Sequence, residues 1–145
     1  MLTNRSIPPS TVIPQLVYPD VSAAAKWLCE AFGFTVRVRI GDHRIQLNVG
    51  DGAIVVMEGP ASESRATGVE KNRSEFGHVM VRVKDANRHQ ERAIKHGAII
   101  LRPPADYPYG ERQYTAQDFA GHRWTFSQSI ADVAPESWGG TSEQL

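Results

Sequence analysis

The sequence is short of several features that mark common functional classes. Its 145 residues include one cysteine, Cys29, which excludes an internal disulfide and a paired-cysteine metal cluster and favours a reducing compartment. No apolar run approaches the length that crosses a bilayer, and the polar segment Met1–Ser10 lacks the apolar core of a signal peptide. We therefore expect a cytoplasmic protein with no membrane partner.

The chain also lacks an excess of charge of either sign. Sixteen Lys and Arg residues balance sixteen Asp and Glu residues, so no long-range field would attract nucleic acid or anionic lipid. There is no glycine-rich phosphate loop between a strand and a helix, and no G-x-S-x-G serine turn. We therefore expect neither nucleotide binding nor serine-hydrolase activity, and no nucleic-acid partner.

One pattern of secondary structure is predicted in the first half of the chain. Val12–Tyr18 predicts a strand, Asp20 can cap the helix that follows, and Gly33 supplies its stop. Alternating apolar and polar residues then predict the strands Val36–Ile40, Ile45–Val49 and Ala53–Glu58.

The same pattern recurs after an exposed connector that runs from Gly59 to Glu75. A strand at Val79–Val83 precedes a helix that Asp85 caps and that ends at Gly97. Extended structure resumes at Ala98–Leu101, and the proline pair at 103 and 104 is expected to break it. The remaining strands are predicted at Tyr109–Thr115 and His122–Gln128.

This duplication predicts an α+β fold of paired βαβββ modules, at about residues 12–58 and 76–128, that form a curved, cup-like mixed sheet. Because each helix covers one face of its sheet, the other faces are free to enclose a shared cavity, which we expect to bind a small molecule. Residues 12–128 would be a single domain. The tail, 129–145, is too polar for a separate domain and either clamps onto the body or reaches a partner subunit.

Polar side chains fall on the strands that the duplication would bring together at the centre. They are Gln15, Glu58, His78 and Thr125. Amide oxygen, carboxylate and imidazole suit a divalent ion such as Ni, Zn, Mn or Fe, so the first three are candidate metal ligands. The alternative is a hydrogen-bonded edge histidine and a solvated strand end, which sequence chemistry alone favours for each residue.

Other side chains are candidates for ligand contact. Arg44 and Arg112 occupy equivalent positions in the two halves and could bind a ligand carboxylate; the alternative is a cross-strand ion pair, with Glu111 as an obvious partner. Aromatic rings could line the cavity mouth or pack in the core with similar ease. These rings are Tyr107, Tyr109 and Tyr114.

Two motifs carry a resemblance to a known family. Tyr109–Tyr114 (YGERQY) and Asp118–Phe126 (DFAGHRWTF) resemble the glyoxalase, bleomycin-resistance and extradiol-dioxygenase superfamily, also called vicinal oxygen chelate proteins. Val17–Val21 (VYPDV) and the Ala31–Phe34 segment (AFGF) look like the start of the same pattern. The likeness covers about Val12 to Gln128.

The resemblance implies paired βαβββ modules, a homodimer and, in metal-dependent members, one divalent ion with a ligand from each of four central strands. Gln15, Glu58 and His78 match three of these positions. At the fourth, glyoxalase I has a glutamate that ligates metal and acts as general base, whereas this chain has Thr125, or Ser127 if the internal repeat sets the count. Neither hydroxyl supplies a carboxylate, so true glyoxalase I activity is not expected.

Two hypotheses of different classes remain. One is a metal-assisted lyase or isomerase with an altered ligand set. The other is a non-catalytic protein of the bleomycin-resistance type that sequesters a small molecule or antibiotic. In either case we expect Thr125 to contact the ligand together with Arg44, Tyr109, Arg112 and Tyr114.

Overall fold

The structure, a computed structural model, describes residues 2–59 and 77–145. The chain divides into two compact units, Met1–Arg73 and Ser74–Leu145. Apart from Gly59, the predicted connector lies outside the described residues.

The first unit contains one helix and a four-stranded mixed sheet. In chain order its elements are β1 (Gln15–Val17), α1 (Val21–Phe32), β2 (Thr35–Ile40), β3 (Arg44–Val49) and β4 (Gly52–Met57). The sheet order is β1-β4-β3-β2, with β1 parallel to β4 and the other neighbours antiparallel.

Helix α1 begins and ends where the sequence predicts. The side chain of Asp20 accepts a hydrogen bond from the backbone N–H of Ala23 at 3.0 Å, which satisfies a donor that the first turn leaves free. At the other end Gly33 has a φ of 83°, and its N–H donates to the carbonyl of Cys29 at 3.1 Å.

One face of this first sheet is apolar. The other is partly covered by residues 2–10, which we call the N-terminal arm. Alternation and register place four fully buried residues on the apolar face: Ile45, Leu47, Ile54 and Val56. On the opposite face Gln46 is 2 % exposed, donating to the carbonyl of Ser6 at 2.8 Å and accepting from Arg37 at 2.5 Å. The buried amide is thus satisfied at both ends.

The second unit repeats the topology of the first. Its elements are β5 (Val79–Arg82), α2 (Ala86–Lys95), β6 (Ile99–Tyr107), β7 (Glu111–Gln117), β8 (Arg123–Ser129) and a 3-10 turn (Pro135–Trp138). The order is β5-β8-β7-β6, with β5 parallel to β8. The predicted α+β class with two βαβββ modules is therefore confirmed.

One predicted break is wrong. Strand β6 runs through Pro103 and Pro104 to Tyr107 instead of ending near Leu101. It lies at the edge of the sheet, where a missing backbone N–H costs least, and its pairing with β7 shifts register between Ile100 and Arg102 and again before Ala105. The bulged edge strand accommodates both prolines.

The C-terminal tail returns to its own unit. The carbonyl of Gly110 accepts backbone N–H groups from Ile130 at 2.8 Å and from Ala131 at 3.3 Å. The ring of Trp138 lies 5.1 Å from that of Tyr109. Across the described ranges, no helix is long and apolar enough to span a membrane.

Candidate functional site

The second sheet has a polar side opposite its helix. Tyr114 and Phe126 lie on the helix side, where their rings approach His89 of α2. Alternation therefore turns their strand neighbours the other way. We call this side the polar face, and the strand register assigns to it His78, Met80, Arg82, Glu111, Gln113, Thr115, Gln117, Arg123, Thr125, Ser127 and Ser129.

Thr125 lies at the middle of the polar face in a chain of hydrogen bonds. Its hydroxyl is 2.8 Å from Nε2 of His78 and 2.9 Å from the hydroxyl of Thr115. His78 directly precedes β5, which pairs with β8, and the pairing of β7 with β8 places Thr115 opposite Thr125. Since Thr125 is only 6 % exposed, the two bonds satisfy a largely buried hydroxyl.

A carboxylate anchors one end of the polar face. Ser127 donates to Glu111 at 2.7 Å and accepts from Nε2 of Gln113 at 3.0 Å, while Arg82 donates to Ser129 at 2.6 Å. Hydrogen bonds from Ser127 and Ser129 lower the pKa of Glu111, and the nearby charge of Arg82 acts in the same direction. Glu111 is therefore ionised near neutral pH.

A cavity of about 330 Å³ opens on the polar face beyond this network. Its volume is typical of a site for a small organic molecule. The side chains that carry its chemistry are His78, Met80, Arg102, Tyr107, Arg123 and Thr125.

Of the predicted ligand-binding residues, Thr125 and Tyr114 border this cavity. Tyr114 is 1 % exposed, and its hydroxyl is hydrogen-bonded to Nδ1 of His89 on the helix side. Burial raises the pKa of Tyr114, so the phenol stays neutral. Tyr114 is therefore a core residue of the second unit. Its contact with a ligand stays a prediction.

Tyr109 and Arg112 have partners within the second unit. The ring of Tyr109 lies between those of Tyr107 and Trp138, and its hydroxyl donates to Gln113 at 3.1 Å. Arg112 binds the carboxylate of Asp106 through Nε at 2.7 Å and Nη2 at 3.2 Å. Its hydrogen bond lowers the pKa of Asp106.

The cross-strand ion pair considered for Arg112 therefore exists, but Glu111 is the wrong partner. Glu111 precedes Arg112 in β7, so the two side chains point to opposite faces of the sheet. Asp106 lies directly across from Arg112 on β6. The ligand-binding roles of Tyr109 and Arg112 stay predictions.

In the first unit, Arg44 lies beside two of the candidate metal ligands. Its Nη2 donates to Oε1 of Gln15 at 3.3 Å, and its Nη1 lies 3.8 Å from the sulfur of Met57. A surface pocket of about 380 Å³ here includes both Arg44 and Glu58 in its lining. Gln15 and Glu58 are thus both close to Arg44.

A family model described as "Glyoxalase/Bleomycin resistance protein/Dioxygenase superfamily" matches residues 11–126. The chain belongs to this superfamily. Its membership confirms the resemblance seen in the motifs of the second half. A search of curated proteins found no match.

Solved structures agree with the superfamily fold. TioX from Micromonospora sp. ML1 is 31% identical, with a TM-score of 0.65 over 86% of this chain and 100% of that chain. A lactoylglutathione lyase from Agrobacterium tumefaciens is 16% identical, with a TM-score of 0.62 over 85% and 96% of the two chains. A glyoxalase/bleomycin resistance protein from Streptomyces sp. CB03234 is 19% identical, with a TM-score of 0.61 over 82% and 100%. The last two show the fold alone.

Many members of the superfamily bind a divalent metal, but two of the candidate donors in this chain already have hydrogen-bond partners. Oε1 of Gln15 accepts from the guanidinium of Arg44, whose charge would repel a cation there. Nε2 of His78 is engaged with Thr125. Within residues 2–59 and 77–145, no group of three His, Cys, Asp or Glu side chains could hold a metal ion. The set Gln15, Glu58 and His78 stays a prediction.

Sequence reasoning missed part of the site. Arg102, Arg123 and Gln113 contribute to the cavity wall but were not among the predicted residues. A signal for Arg123 was present, because two-residue alternation in β8 places it on the same face as Thr125. No local signal marked Arg102, since the pairing of β6 with β7 shifts register on both sides of it.

Proposed function

We propose that the protein binds a small organic molecule on the polar face and sequesters it without catalysis, as a protein of the bleomycin-resistance type. The observation that carries the proposal is the presence of a hydrogen-bonded hydroxyl, that of Thr125, at the middle of the polar face. The resemblance implies that this hydroxyl, or that of Ser127 if the internal repeat sets the count, takes the place of the glyoxalase I carboxylate. The Thr125 hydroxyl is held between His78 and Thr115. Ligand binding by hydrogen bonds and apolar contact needs no metal at this position.

The charge balance around Thr125 supports this proposal. A cation bound beside the neutral hydroxyls of Thr115 and Thr125 would gain no negative charge from them to offset its desolvation. The polar face does contain a carboxylate, Glu111, but the hydroxyls of Ser127 and Ser129 already bind it. A small organic ligand could instead accept and donate hydrogen bonds along the face.

A metal-dependent lyase or isomerase is the second candidate function. It is favoured by the superfamily, many of whose members bind divalent metals, and by the presence of His78 and Glu58 at ligand positions. The solved neighbours include a lactoylglutathione lyase, so a similar fold accompanies lyase activity in that protein. In this case Ni, Zn, Mn or Fe would supply Lewis-acid chemistry.

Metal removal separates the two candidates. The purified chain is treated with a chelator and reloaded in turn with Ni, Zn, Mn and Fe, and its metal content is measured by elemental analysis. A panel of aromatic and antibiotic-like compounds is then titrated by calorimetry. We expect less than stoichiometric metal and the same affinities before and after chelation. Stoichiometric metal that is required for binding, or turnover of any bound compound, would overturn the proposal.

Thr125→Val tests the central hydroxyl directly. Valine preserves the shape of threonine but cannot bond to His78 or Thr115, so we expect weaker ligand binding with a retained fold. Thr35→Val, at an exposed position of β2, is the matched control. If Thr125→Val bound the ligand with the same affinity as the parent chain, the Thr125 hydroxyl would not be part of the binding site.

The proposal also covers the domain organisation, the cellular location and the oligomeric state of the protein. We infer that residues 12–128 act as one domain, with the tail 129–145 packed against it, and that the chain works as a cytoplasmic homodimer. The single cysteine and the superfamily membership support this inference.

A further inference from the structure

The cavity on the polar face has an unbalanced charge. Arg102, Arg123 and the imidazole of His78 line it, and no Asp or Glu is among the lining residues that the structure describes. In the part of the chain that the structure describes, neither arginine forms an ion pair or hydrogen bond through its side chain. Other arginines of the same unit are engaged, as Arg112 is with Asp106 and Arg82 is with Ser129.

Arg123 is the more telling of the two. It is the first residue of β8, and its Nε atom is fully buried with no acceptor among the described residues. A buried donor on a charged group without an acceptor is costly, and native structures keep few of them without a reason. A ligand oxygen at this nitrogen would satisfy it.

We propose that the ligand of this cavity is an organic anion, a carboxylate attached to an apolar body, and that Arg123 and Arg102 select it. This inference rests on the proposed binding function and names its ligand class. The Nε–Nη edge of a guanidinium matches the two oxygens of a carboxylate. Phosphate is less suited, because its sites usually use helix N-termini or glycine-rich loops, whereas this lining is drawn chiefly from strands.

The rest of the cavity fits the apolar body. Met80 on β5 is 60% exposed and Leu101 on β6 is 40% exposed, and the two strands form opposite edges of the sheet. Three strand spacings of about 4.8 Å separate those edges, which is room for one or two fused rings above Thr115 and Thr125. The ring of Tyr107 adds an aromatic surface on the β6 side.

Matched acid and amide probes test the inference. Benzoate and 2-naphthoate are titrated by calorimetry at low salt beside benzamide and 2-naphthamide, which have the same rings without the charge. We expect each acid to bind at least ~10-fold more tightly than its amide, and added salt to reduce that preference. Neutral and cationic aromatic compounds and inorganic phosphate are included in the same series.

Arginine variants locate the effect. In Arg123→Gln and Arg102→Gln we expect the preference for acid over amide to fall at least ~10-fold, because acid binding weakens far more than amide binding. Arg88→Gln is the control, because Arg88 belongs to α2 and its side chain is 86% exposed. The thermal midpoint of Arg123→Gln should equal or exceed that of the parent chain, since the change removes a buried N–H donor that has no acceptor among the described residues. A lower thermal midpoint would indicate that Arg123 stabilises the fold through a partner within the protein, and it would count against the inference.

The outcomes separate the two proposals. Equal binding of acids and amides, or binding of neutral and cationic compounds alone, would overturn the anionic ligand but leave small-molecule binding in place. Displacement of naphthoate by equimolar phosphate would overturn the carboxylate assignment. If no compound of any charge binds, both the ligand class and the proposed function are wrong.

Discussion

Asp118 holds together the turn between β7 and β8. It is 1 % exposed and accepts hydrogen bonds from the backbone N–H groups of Ala120 and His122, each at 3.0 Å, and from Nε1 of Trp124 at 3.1 Å. Asp118→Ala would leave three donors without this acceptor, one of them on a fully buried indole. We expect the free energy of unfolding to fall by about 2–4 kcal/mol, measured by urea denaturation.

Asp118→Asn grades the same prediction. The asparagine side chain keeps one oxygen that can accept from the backbone N–H groups of Ala120 and His122. Either its NH₂ group then faces Trp124, or all three donors share the one oxygen. We therefore expect Asp118→Asn to lower the free energy of unfolding by less than Asp118→Ala does. Asp132→Ala, at an exposed position in the tail, should change stability little. If alanine at 118 and at 132 had equal effects, the hydrogen bonds of Asp118 would have no net value.

Tyr114 predicts a dependence of stability on alkaline pH. Burial raises its pKa above the ordinary value of 10.0, so the folded chain retains a proton that the unfolded chain releases. As the pH rises past about 10, the unfolded state binds fewer protons, and the free energy of unfolding must fall, by at most ~1.4 kcal/mol per pH unit from this group. Below the unfolded pKa this contribution is fully present.

Tyr114→Phe isolates that group from the other titrating side chains. The variant loses the hydrogen bond to His89 and should be less stable at neutral pH by about 1–2 kcal/mol. Urea denaturation at several pH values between 8 and 11 should show a shallower decline for the variant than for the parent chain. Parallel curves would mean that Tyr114 titrates alike in both states.

Single residues also show what the sequence can and cannot specify. The face of Thr125 followed from alternation, because neighbours in a strand face opposite ways, and its place on a central strand followed from the duplication. The partner of Arg112 did not, since Asp106 becomes its neighbour only through the register of an irregular strand pair. Contacts in the site that depend on which residues of two strands lie opposite each other therefore cannot be predicted from local sequence patterns.

At the scale of elements, the turn from β6 to β7 depends on Gly110. Its φ is +83°, and a Cβ atom added there would lie 2.4 Å from the carbonyl oxygen of Ala131. Gly97, after α2, has a similar φ of +88° but nothing within 4 Å of such an atom. Gly110→Ala thus combines backbone strain with a clash, whereas Gly97→Ala has strain alone.

We expect Gly97→Ala to cost about 1–2 kcal/mol of unfolding free energy and Gly110→Ala to cost more, with loosening of the tail that bonds to the Gly110 carbonyl. Thermal unfolding of the two variants measures the first effect. Hydrogen exchange at Ile130 measures the second. Equal losses in the two variants would show that the tail moves aside freely.

The elements themselves were largely predictable, and the exception has a physical cause. Caps at Asp20 and Asp85 are local, since each side chain accepts from a backbone group three residues ahead. The fate of Pro103 and Pro104 is not local. Whether a proline ends a strand depends on whether its position faces a partner strand, and that is decided by the order of the whole sheet.

At the scale of the whole molecule, the two modules share a topology but have different polar sides. In the first sheet, Gln46 is covered by the arm through a contact 40 residues away in sequence, at Ser6. In the second, the corresponding side carries the cavity with Arg102 and Arg123, which have no side-chain partner among the described residues. Duplication was visible in the sequence because each module repeats local signals, whereas this structural asymmetry arises from long-range contacts.

Association is the last property that belongs to the whole chain. With sixteen charges of each sign, no net charge opposes self-association near neutral pH, and several large apolar side chains are exposed, including Ile94 and Phe119. Superfamily membership favours a closed homodimer over open aggregation. Light scattering on a sizing column should therefore give twice the chain mass of 16.0 kDa, constant over a tenfold range of micromolar concentrations. A mass of one chain would contradict the dimer, and a mass that grows with concentration would indicate nonspecific association through the exposed apolar residues.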